Sequence, residues 1–176
     1  MTDQREVFTE VKEYEYVGPP EIKESIRQSG GFPVRTASDL QEFLASRGPE
    51  ELNEPFTFIV DTSGVLRLAP RRSEHVACAD GCAVWAAGEI GFHHSRNRGQ
   101  WEVSTVSNQS TGYCPDTESW ESVARSLDHA GINHGSGYTH PIIFRCCPSC
   151  REWNSVKDSH FFCVFCDNEL PAKNRR

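Results

Sequence analysis

Four cysteines towards the C-terminal end of the sequence form two closely spaced pairs. Two residues separate Cys147 from Cys150 and Cys163 from Cys166, and twelve residues lie between the pairs. A two-residue spacer lets each pair turn both sulfurs towards one metal ion, and two such pairs supply the four thiolates of a tetrahedral zinc site. The pattern predicts one structural zinc ion, whose closed coordination leaves no position for an activated water.

The residues around these pairs leave two questions open. Cys146 adjoins Cys147 and offers an alternative ligand with a three-residue spacer, but the two-residue spacing favours Cys147. The strand-like segments IIFR and HFF precede the two pairs and are typical of a zinc ribbon, in which β-hairpins carry the cysteines. The aromatic residues here either pack inward or form a recognition surface, and we expect burial because so small a unit needs packing support. They are Trp153, Phe161, Phe162 and Phe165.

A second set of polar residues lies in the middle of the sequence. Asn108, Ser110 and Tyr113 occupy a predicted strand-to-helix transition, where backbone N–H groups and short polar side chains either bind a small polar ligand or only fix the turn. Glu89 interrupts an apolar strand: turned inward it suits a general acid or base, although alternation turns it towards solvent. His75 completes this candidate ligand-binding set. A second metal site of His75 with Cys78, Cys82 and Cys114 is disfavoured by their irregular spacing.

Hydrophobic periodicity predicts the strands that position these residues. The runs PFTFIV and VLRLA flank a polar turn over residues 61–64 and predict a β-hairpin. The runs AVWAAGEIGF and QWEVSTVSN flank HHSRNRG and predict a second hairpin with a longer, mobile loop. Together they predict a four-stranded antiparallel sheet.

Capping residues and apolar spacing predict two helices. Ser38 followed by Gln41 has the pattern of a capping box, and the apolar residues after it indicate a short amphipathic helix that ends before Gly48. A helix is also predicted over 117–130, because Trp120, Val123, Ala124 and Leu127 share one face before Gly131.

The predicted fold class is α+β, with a mostly antiparallel sheet, one or two packed helices and a C-terminal four-cysteine zinc ribbon. We divide the chain into an N-terminal arm over 1–35, an α+β module over 36–135, a zinc ribbon over 136–170 and a tail over 171–176. The arm is expected to hold one short strand near Val7–Val11. The stretch INHGSGYTHP is interpreted as a linker, since it is rich in Gly and ends in Pro.

Residues 56–135 resemble a module of uncharacterised bacterial proteins. A more distant likeness is to the C-terminal region of plant IQ-motif calmodulin-binding proteins and to segments of some bacterial toxins and effectors. The resemblance rests on FTFIVDTSGVLRLAP, His75 before a turn with Gly81, AAGEIGF and SNQSTGYCP.

The resemblance carries over only in part. The matching residues are His75 at the first histidine, Ala86, Ala87 and Gly88 in the small-residue strand, and Ser110, Tyr113 and Pro115 in a Ser-Gly-His-Tyr-x-Pro turn. Thr111 and Gly112 replace the Gly and His of that turn. Residues 76–78 replace the Ser-Ser-Phe that follows the first histidine in the relatives. The two-histidine chemistry of the relatives is therefore not implied for this chain.

Composition narrows the class of function. A formal charge of -7 and a pI near 5.5 oppose broad attraction to phosphate backbones, which makes nucleic acid a poor partner. No apolar run approaches the roughly 20 residues that cross a bilayer, and the start MTDQREVFTEVKE lacks the apolar core of a signal peptide. We therefore expect a cytoplasmic protein without a membrane partner, whose cysteines bind metal instead of forming disulfides.

The leading functional hypothesis is a noncatalytic zinc-containing adaptor of bacterial origin that recognises a protein partner. Phosphate-binding glycine loops, nucleophile elbows and His-Glu-x-x-His sequences are absent from the sequence. One alternative is a small transferase or hydrolase with a polar cleft formed by the central residues His75, Glu89, Asn108, Ser110 and Tyr113. Another is nucleic-acid binding through the ribbon, which would need a local basic patch.

Overall fold

A computed structural model of the chain describes residues 11–27 and 30–174. The strands are β1 (Phe32–Val34), β2 (Phe56–Asp61), β3 (Leu66–Ala69), β4 (Val84–Ser95), β5 (Gln100–Ser107), β6 (Ile143–Cys146) and β7 (Trp153–Val156). The helices are α1 (Pro20–Glu24), α2 (Ala37–Ala45), α3 (Pro49–Leu52), α4 (His75–Cys78) and α5 (Trp120–Ala130), with a 3₁₀ turn over Thr117–Ser119. None of these helices is long and apolar enough to span a membrane.

The larger sheet has five strands in the order β1-β3-β2-β4-β5, and every neighbouring pair is antiparallel. This arrangement confirms the α+β class and the mostly antiparallel sheet. The predicted first hairpin is β2–β3, in which Phe58 pairs with Leu68. Its turn is held by the Asp61 carboxylate, which accepts the N–H groups of Ser63 and Val65 at 2.9 and 3.0 Å.

The prediction of four strands was wrong because β1 adds a fifth along β3. Its segment contains Pro33, which lacks an N–H group and resembles a loop residue in sequence. A proline is tolerated at the edge of a sheet, where one side of the strand needs no hydrogen-bond partner. The strand expected near Val7–Val11 falls largely outside the described residues, and Val11 itself lies in irregular backbone.

The second hairpin, β4–β5, is longer than predicted and its loop is shorter. His93 and His94 lie within β4, opposite Glu102 and Trp101, and the rings of His94 and Trp101 meet edge to face at 5.4 Å. Only residues 96–99 connect the strands, and the N–H of Gly99 closes the turn on the carbonyl of Ser95 at 2.8 Å. The expectation of a longer loop was wrong because these cross-strand contacts extend the pairing.

The sheet is covered on both faces. Phe58 and Val60 of β2 point to a core formed with α2 and α5, whereas Ile59 points to a second core with α4 and Tyr113. Apolar residues on both sides explain why β2 is a continuous hydrophobic run in the sequence.

The two predicted helices pack on the first of these cores. In α2 the N-cap is Thr36, not Ser38: its side chain accepts the N–H of Asp39, whose carboxylate accepts the N–H of Thr36 in return. Ser38 lies inside the helix, so the predicted capping box of Ser38 and Gln41 was wrong. The helix predicted over 117–130 consists of the 3₁₀ turn and α5, and ends as expected at Gly131 with a left-handed φ of 71°.

The predicted linker after α5 packs along the outer edge of β5. The N–H of Val103 donates to the carbonyl of Asn133 at 2.9 Å, and the Thr139 hydroxyl accepts the N–H of Val106 at 2.8 Å. Ser107 and His140 then form a parallel β-bridge. The glycines and proline of this stretch had indicated a free connection, but it covers backbone groups that the edge strand would otherwise expose.

Candidate functional site

The two cysteine pairs lie in turns of the same geometry. In the first turn, the N–H of Arg151 donates to the carbonyl of Cys147 at 3.0 Å, and the N–H of Cys147 donates to the carbonyl of Glu152 at 2.9 Å. The second turn repeats both bonds at the same spacing, from Asp167 to Cys163 at 2.9 Å and from Cys163 to Asn168 at 2.8 Å. These matching turns direct all four sulfurs towards one point.

The four sulfurs lie close enough to hold one metal ion. The ligand atoms of Cys147, Cys150, Cys163 and Cys166 all lie within 4.8 Å of one another. The sulfurs of Cys147 and Cys166 are 3.6 Å apart, and those of Cys150 and Cys163 are 3.5 Å apart. Zinc–sulfur bonds of about 2.3 Å in a tetrahedron separate neighbouring sulfurs by about 3.8 Å. The donor set therefore fits a four-thiolate metal site, and the separations are too long for disulfides.

Amide groups surround two of these sulfurs. The sulfur of Cys163 lies 3.4 Å from the N–H of Phe165 and 3.5 Å from the side-chain amide of buried Asn154. Asn168 points its side-chain amide at the sulfur of Cys166 at 3.3 Å. Asn168, first through this amide and then through its backbone N–H, lowers the pKa of the Cys166 thiol to about 6. Such donors favour the thiolate form that binds metal.

Sequence reasoning missed these two asparagines, although Asn168 follows Cys166 at a spacing that a turn brings within reach. Asn154 also links the two halves of the site, because its carbonyl oxygen accepts the N–H of Val164 at 3.0 Å. Cys146 stands apart from the cluster, with its sulfur 3.4 Å from the carbonyl oxygen of Arg151.

No other group of three or more His, Cys, Asp or Glu side chains in residues 11–27 and 30–174 comes close enough to share a metal ion. The disfavoured second site around His75 is accordingly not formed there.

His75 and Tyr113 of the central set each bond to a neighbouring backbone. The Nε2 of His75 lies 2.9 Å from the carbonyl oxygen of Gly88 and must carry the proton, since a carbonyl only accepts. Burial lowers the pKa of this imidazole, and its hydrogen bond to Gly88 opposes that shift. The hydroxyl of Tyr113 donates to the carbonyl of Cys82 at 2.7 Å, and burial raises its pKa.

Asn108 is buried and bridges two parts of the chain. Its amide nitrogen donates to the carbonyls of Pro115 and Ile142, both at 2.8 Å, and its oxygen accepts the N–H of Ile142 at 2.7 Å. These bonds join the start of the helical segment to the strand that leads to the cysteines. Ser110 is also fully buried, and its hydroxyl has no partner among the described residues.

The five central residues do not line one pocket. Glu89 is half-buried and lines a cavity at the end of β5, so it is neither fully inward nor fully solvated. Tyr113 lines a different cavity, beside Tyr14 and Trp153. Gly88 explains the small-residue strand, because a Cβ there would lie 1.9 Å from the carbonyl oxygen of Ser107.

The second cysteine turn exposes large apolar side chains. Phe162, Val164 and Phe165 keep 49%, 74% and 63% of their surface exposed. Only Phe161 of the predicted aromatic set packs on the cysteine cluster, together with Leu170, while Trp153 is partly buried. The expected burial of Phe162 and Phe165 was wrong, because the cysteines and Leu170 fill the centre of this small unit and the side chains of these two residues face solvent.

The comparisons with known proteins give no match for this chain. No protein-family model matches the chain, and no curated protein or solved structure matches it either. The resemblance of residues 56–135 to bacterial and plant modules stays a prediction.

Proposed function

We propose that residues 143–170 form a zinc ribbon around one structural zinc ion, and that the protein is a noncatalytic adaptor that binds a protein partner through the second cysteine turn. The observation that carries this proposal is the position of three exposed apolar side chains on and next to the second cysteine turn, whose two sulfurs belong to the four-cysteine cluster. A closed four-thiolate site has no coordination position for a substrate, so its role is to hold this turn rigid.

An exposed apolar group of this kind is stabilised by contact with another surface. Phe162, Val164 and Phe165 make up most of the large hydrophobic side chains that are exposed among the described residues; the others are Val17 and Ile143. Clustered aromatic residues are the typical anchors of protein interfaces. A rigid turn also loses little conformational entropy on binding.

The charges around this turn favour a partner with a basic rim. Asp167 and Glu169 are exposed within four residues of Phe165, the exposed Asp158 adjoins the exposed Lys157 in the sequence, and the whole chain carries a formal charge of -7. Acidic groups at the edge of an interface attract a basic partner and repel both a second copy of the same surface and a phosphate backbone. We therefore propose a different protein, with an apolar cleft bordered by Lys or Arg, as the partner.

Metal analysis tests the first half of the proposal. Elemental analysis of the purified chain should find one zinc per molecule. Cobalt substitution should give the absorption of tetrahedral thiolate coordination. A chain without bound metal, or one that prefers iron, would contradict the zinc ribbon.

Photocrosslinking and affinity measurement test the second half. A photoreactive phenylalanine analogue at position 165 should crosslink to one protein in the source cell. With that purified partner, Phe165→Ser should weaken binding by about tenfold or more, as expected of an interface anchor. Val17→Ser removes an apolar side chain that is 40% exposed elsewhere and should change affinity less than about twofold. Equal effects of the two substitutions would refute the proposed surface.

A further inference from the structure

Glu89, Ser107 and His140 stand in one row across three adjacent segments of the chain. Glu89 of β4 pairs directly with Ser107 of β5, and Ser107 forms the parallel bridge with His140. Directly paired residues share a face of a sheet, so these three side chains project on the same side. The cysteine cluster and the exposed apolar turn contribute nothing to this row.

The row lines a cavity of about 340 Å³. Pro55 and Ile142 supply apolar walls, and Thr105 and Gln109 add a hydroxyl and an amide. The volume falls within the range of about 300–1,000 Å³ that is usual for small-ligand sites.

The polar groups of this cavity have unused hydrogen-bonding capacity. Glu89 is half-buried and interacts electrostatically with the imidazole of His75, yet its carboxylate makes no hydrogen bond or salt bridge with the described part of the chain. His140 uses Nδ1 in a 2.9 Å contact with the hydroxyl of Thr139, which leaves Nε2 without a described partner. The side chains of Thr105 and Gln109 likewise have none among residues 11–27 and 30–174. A half-buried carboxylate that accepts no hydrogen bond from the described residues is a reason to expect a ligand there.

The charge of the cavity selects the kind of ligand. Glu89 is its one acidic group, and none of its described lining residues is Lys or Arg. A phosphate or carboxylate would meet a like charge, with only the imidazole of His140 to offset it. A cation would donate a charge-assisted hydrogen bond to the carboxylate of Glu89. The Thr105 hydroxyl and the Gln109 side-chain carbonyl offer further acceptors.

We propose that this cavity binds a compact organic cation, an ammonium or guanidinium group on an alkyl stem. The charged head pairs with Glu89, and the stem lies between Pro55 and Ile142. The same chemistry is offered by a free small-molecule amine and by a Lys or Arg side chain of another protein. The inference does not depend on the proposed zinc ribbon or on the apolar turn, so either can fail without the other.

The test is a titration of the full metal-bound chain, in which binding is monitored through the amide NMR signals of the cavity residues. The probes are the Nα-acetyl methyl esters of arginine and lysine, with Nα-acetylcitrulline methyl ester as the uncharged match for arginine. Both charged probes should shift the signals of Thr105, Gln109 and His140, and citrulline ester should bind at least about tenfold more weakly. A blocked peptide with a central Arg forms a second arm. Tighter binding of the peptide assigns the cation to a protein, and equal or weaker binding assigns it to a free amine.

Substitutions locate the binding. Glu89→Gln keeps the shape and removes the charge, and should lower affinity for the charged probes at least about tenfold. Glu121→Gln removes an exposed carboxylate on α5 and should leave affinity within about twofold. If Glu89→Gln fails to fold, Thr105→Val supplies the test through loss of one acceptor, with an expected weakening of about threefold. Failure of both charged probes to bind, or unchanged affinity in the variant tested, would overturn the proposal.

Discussion

The five-stranded sheet and the cysteine cluster exclude water by different means. The sheet buries large apolar side chains on both faces, among them Phe58, Leu127 and Tyr113. In the cysteine cluster the buried residues are Cys147, Cys163 and Leu170. Apolar burial scales with the size of a unit, so a large core folds by itself whereas so small a one needs a crosslink or a metal. The difference predicts that one region depends on metal and the other does not.

Polar side chains join these two regions. Asn108 connects the turn after β5 to the strand that leads into the first cysteine turn. Asn174 bonds to Phe144 of β6 and to Asp116 ahead of α5, and Asp116 also pairs with Lys12. The cysteine region is therefore held on the sheet mainly by specific hydrogen bonds, whose loss should uncouple the two.

The largest effect should follow removal of the metal ligands. Cys163→Ser, or treatment with a strong zinc chelator, should collapse the amide NMR signals of residues 143–170 while those of the larger sheet remain dispersed. The reason is that the proposed zinc ion would supply most of the folding free energy of so small a unit. Cys82→Ser, at an exposed cysteine outside the cluster, is the control. A ribbon that stays ordered without metal would show that the two regions are stabilised alike.

Truncation of a side chain in the sheet core should destabilise the sheet and leave the cysteine region unchanged. Phe58→Ala should lower the free energy of unfolding of the sheet by about 3–5 kcal/mol in urea denaturation, because it opens a cavity at a fully buried site. Metal content in the absence of urea should be unchanged. Phe162→Ala makes the same chemical change at an exposed site and should alter stability by less than about 0.5 kcal/mol. Similar losses for the two variants would contradict the assigned burial.

Loss of the hydrogen-bonded connection should have an intermediate effect. Asn108→Ala leaves the buried carbonyls of Pro115 and Ile142 without this donor, and should cost about 2–3 kcal/mol. In hydrogen-exchange measurements, the amides of residues 143–156 should then exchange at a rate different from those of β4 and β5, because the two regions open independently. Asn133→Ala removes one partly buried bond to Glu102 and should cost about 1 kcal/mol or less. Unseparated exchange would mean that other contacts hold the regions together.

The smallest effect distinguishes two possible caps of α2. Thr36→Ala removes the observed N-cap and should destabilise the chain by about 1 kcal/mol in the same urea assay. Ser38→Ala lies within the helix, where Ala is the better helix former, and should be neutral or slightly stabilising. The reverse order would restore the cap that the sequence pattern had predicted.

Local patterns were sufficient where neighbouring residues decide the structure. The hairpin around Asp61, the helix that ends at Gly131 and the two cysteine turns were all predicted from spacing alone. Each depends on contacts within a few residues, such as the Asp61 carboxylate and the N–H groups of Ser63 and Val65. Local propensity failed when two overlapping patterns competed, as for the caps at Thr36 and Ser38.

Long-range contacts decided the rest. Pro33 lies in a strand because its segment pairs with β3. The stretch after Gly131 is held in place because it forms hydrogen bonds with the edge strand β5. Asn108 and Tyr113 were candidate ligand-binding residues in the sequence. In the structure their side chains donate hydrogen bonds to the carbonyls of Ile142 and Cys82, which are distant in sequence. Glu89 acquired a cavity only when Ser107 and His140 came alongside it.

The sequence by itself therefore determined the four-cysteine cluster, the main hairpins and the class of fold, since these depend on spacing and on the period of apolar residues. The tertiary structure decided which polar side chains form hydrogen bonds with buried backbone groups and which have no hydrogen-bond partner among the described residues. It also decided that Phe162 and Phe165 face solvent. The physical reason is that burial and hydrogen-bond pairing depend on chain segments far apart in sequence, whereas a turn or a helix is specified by residues close together.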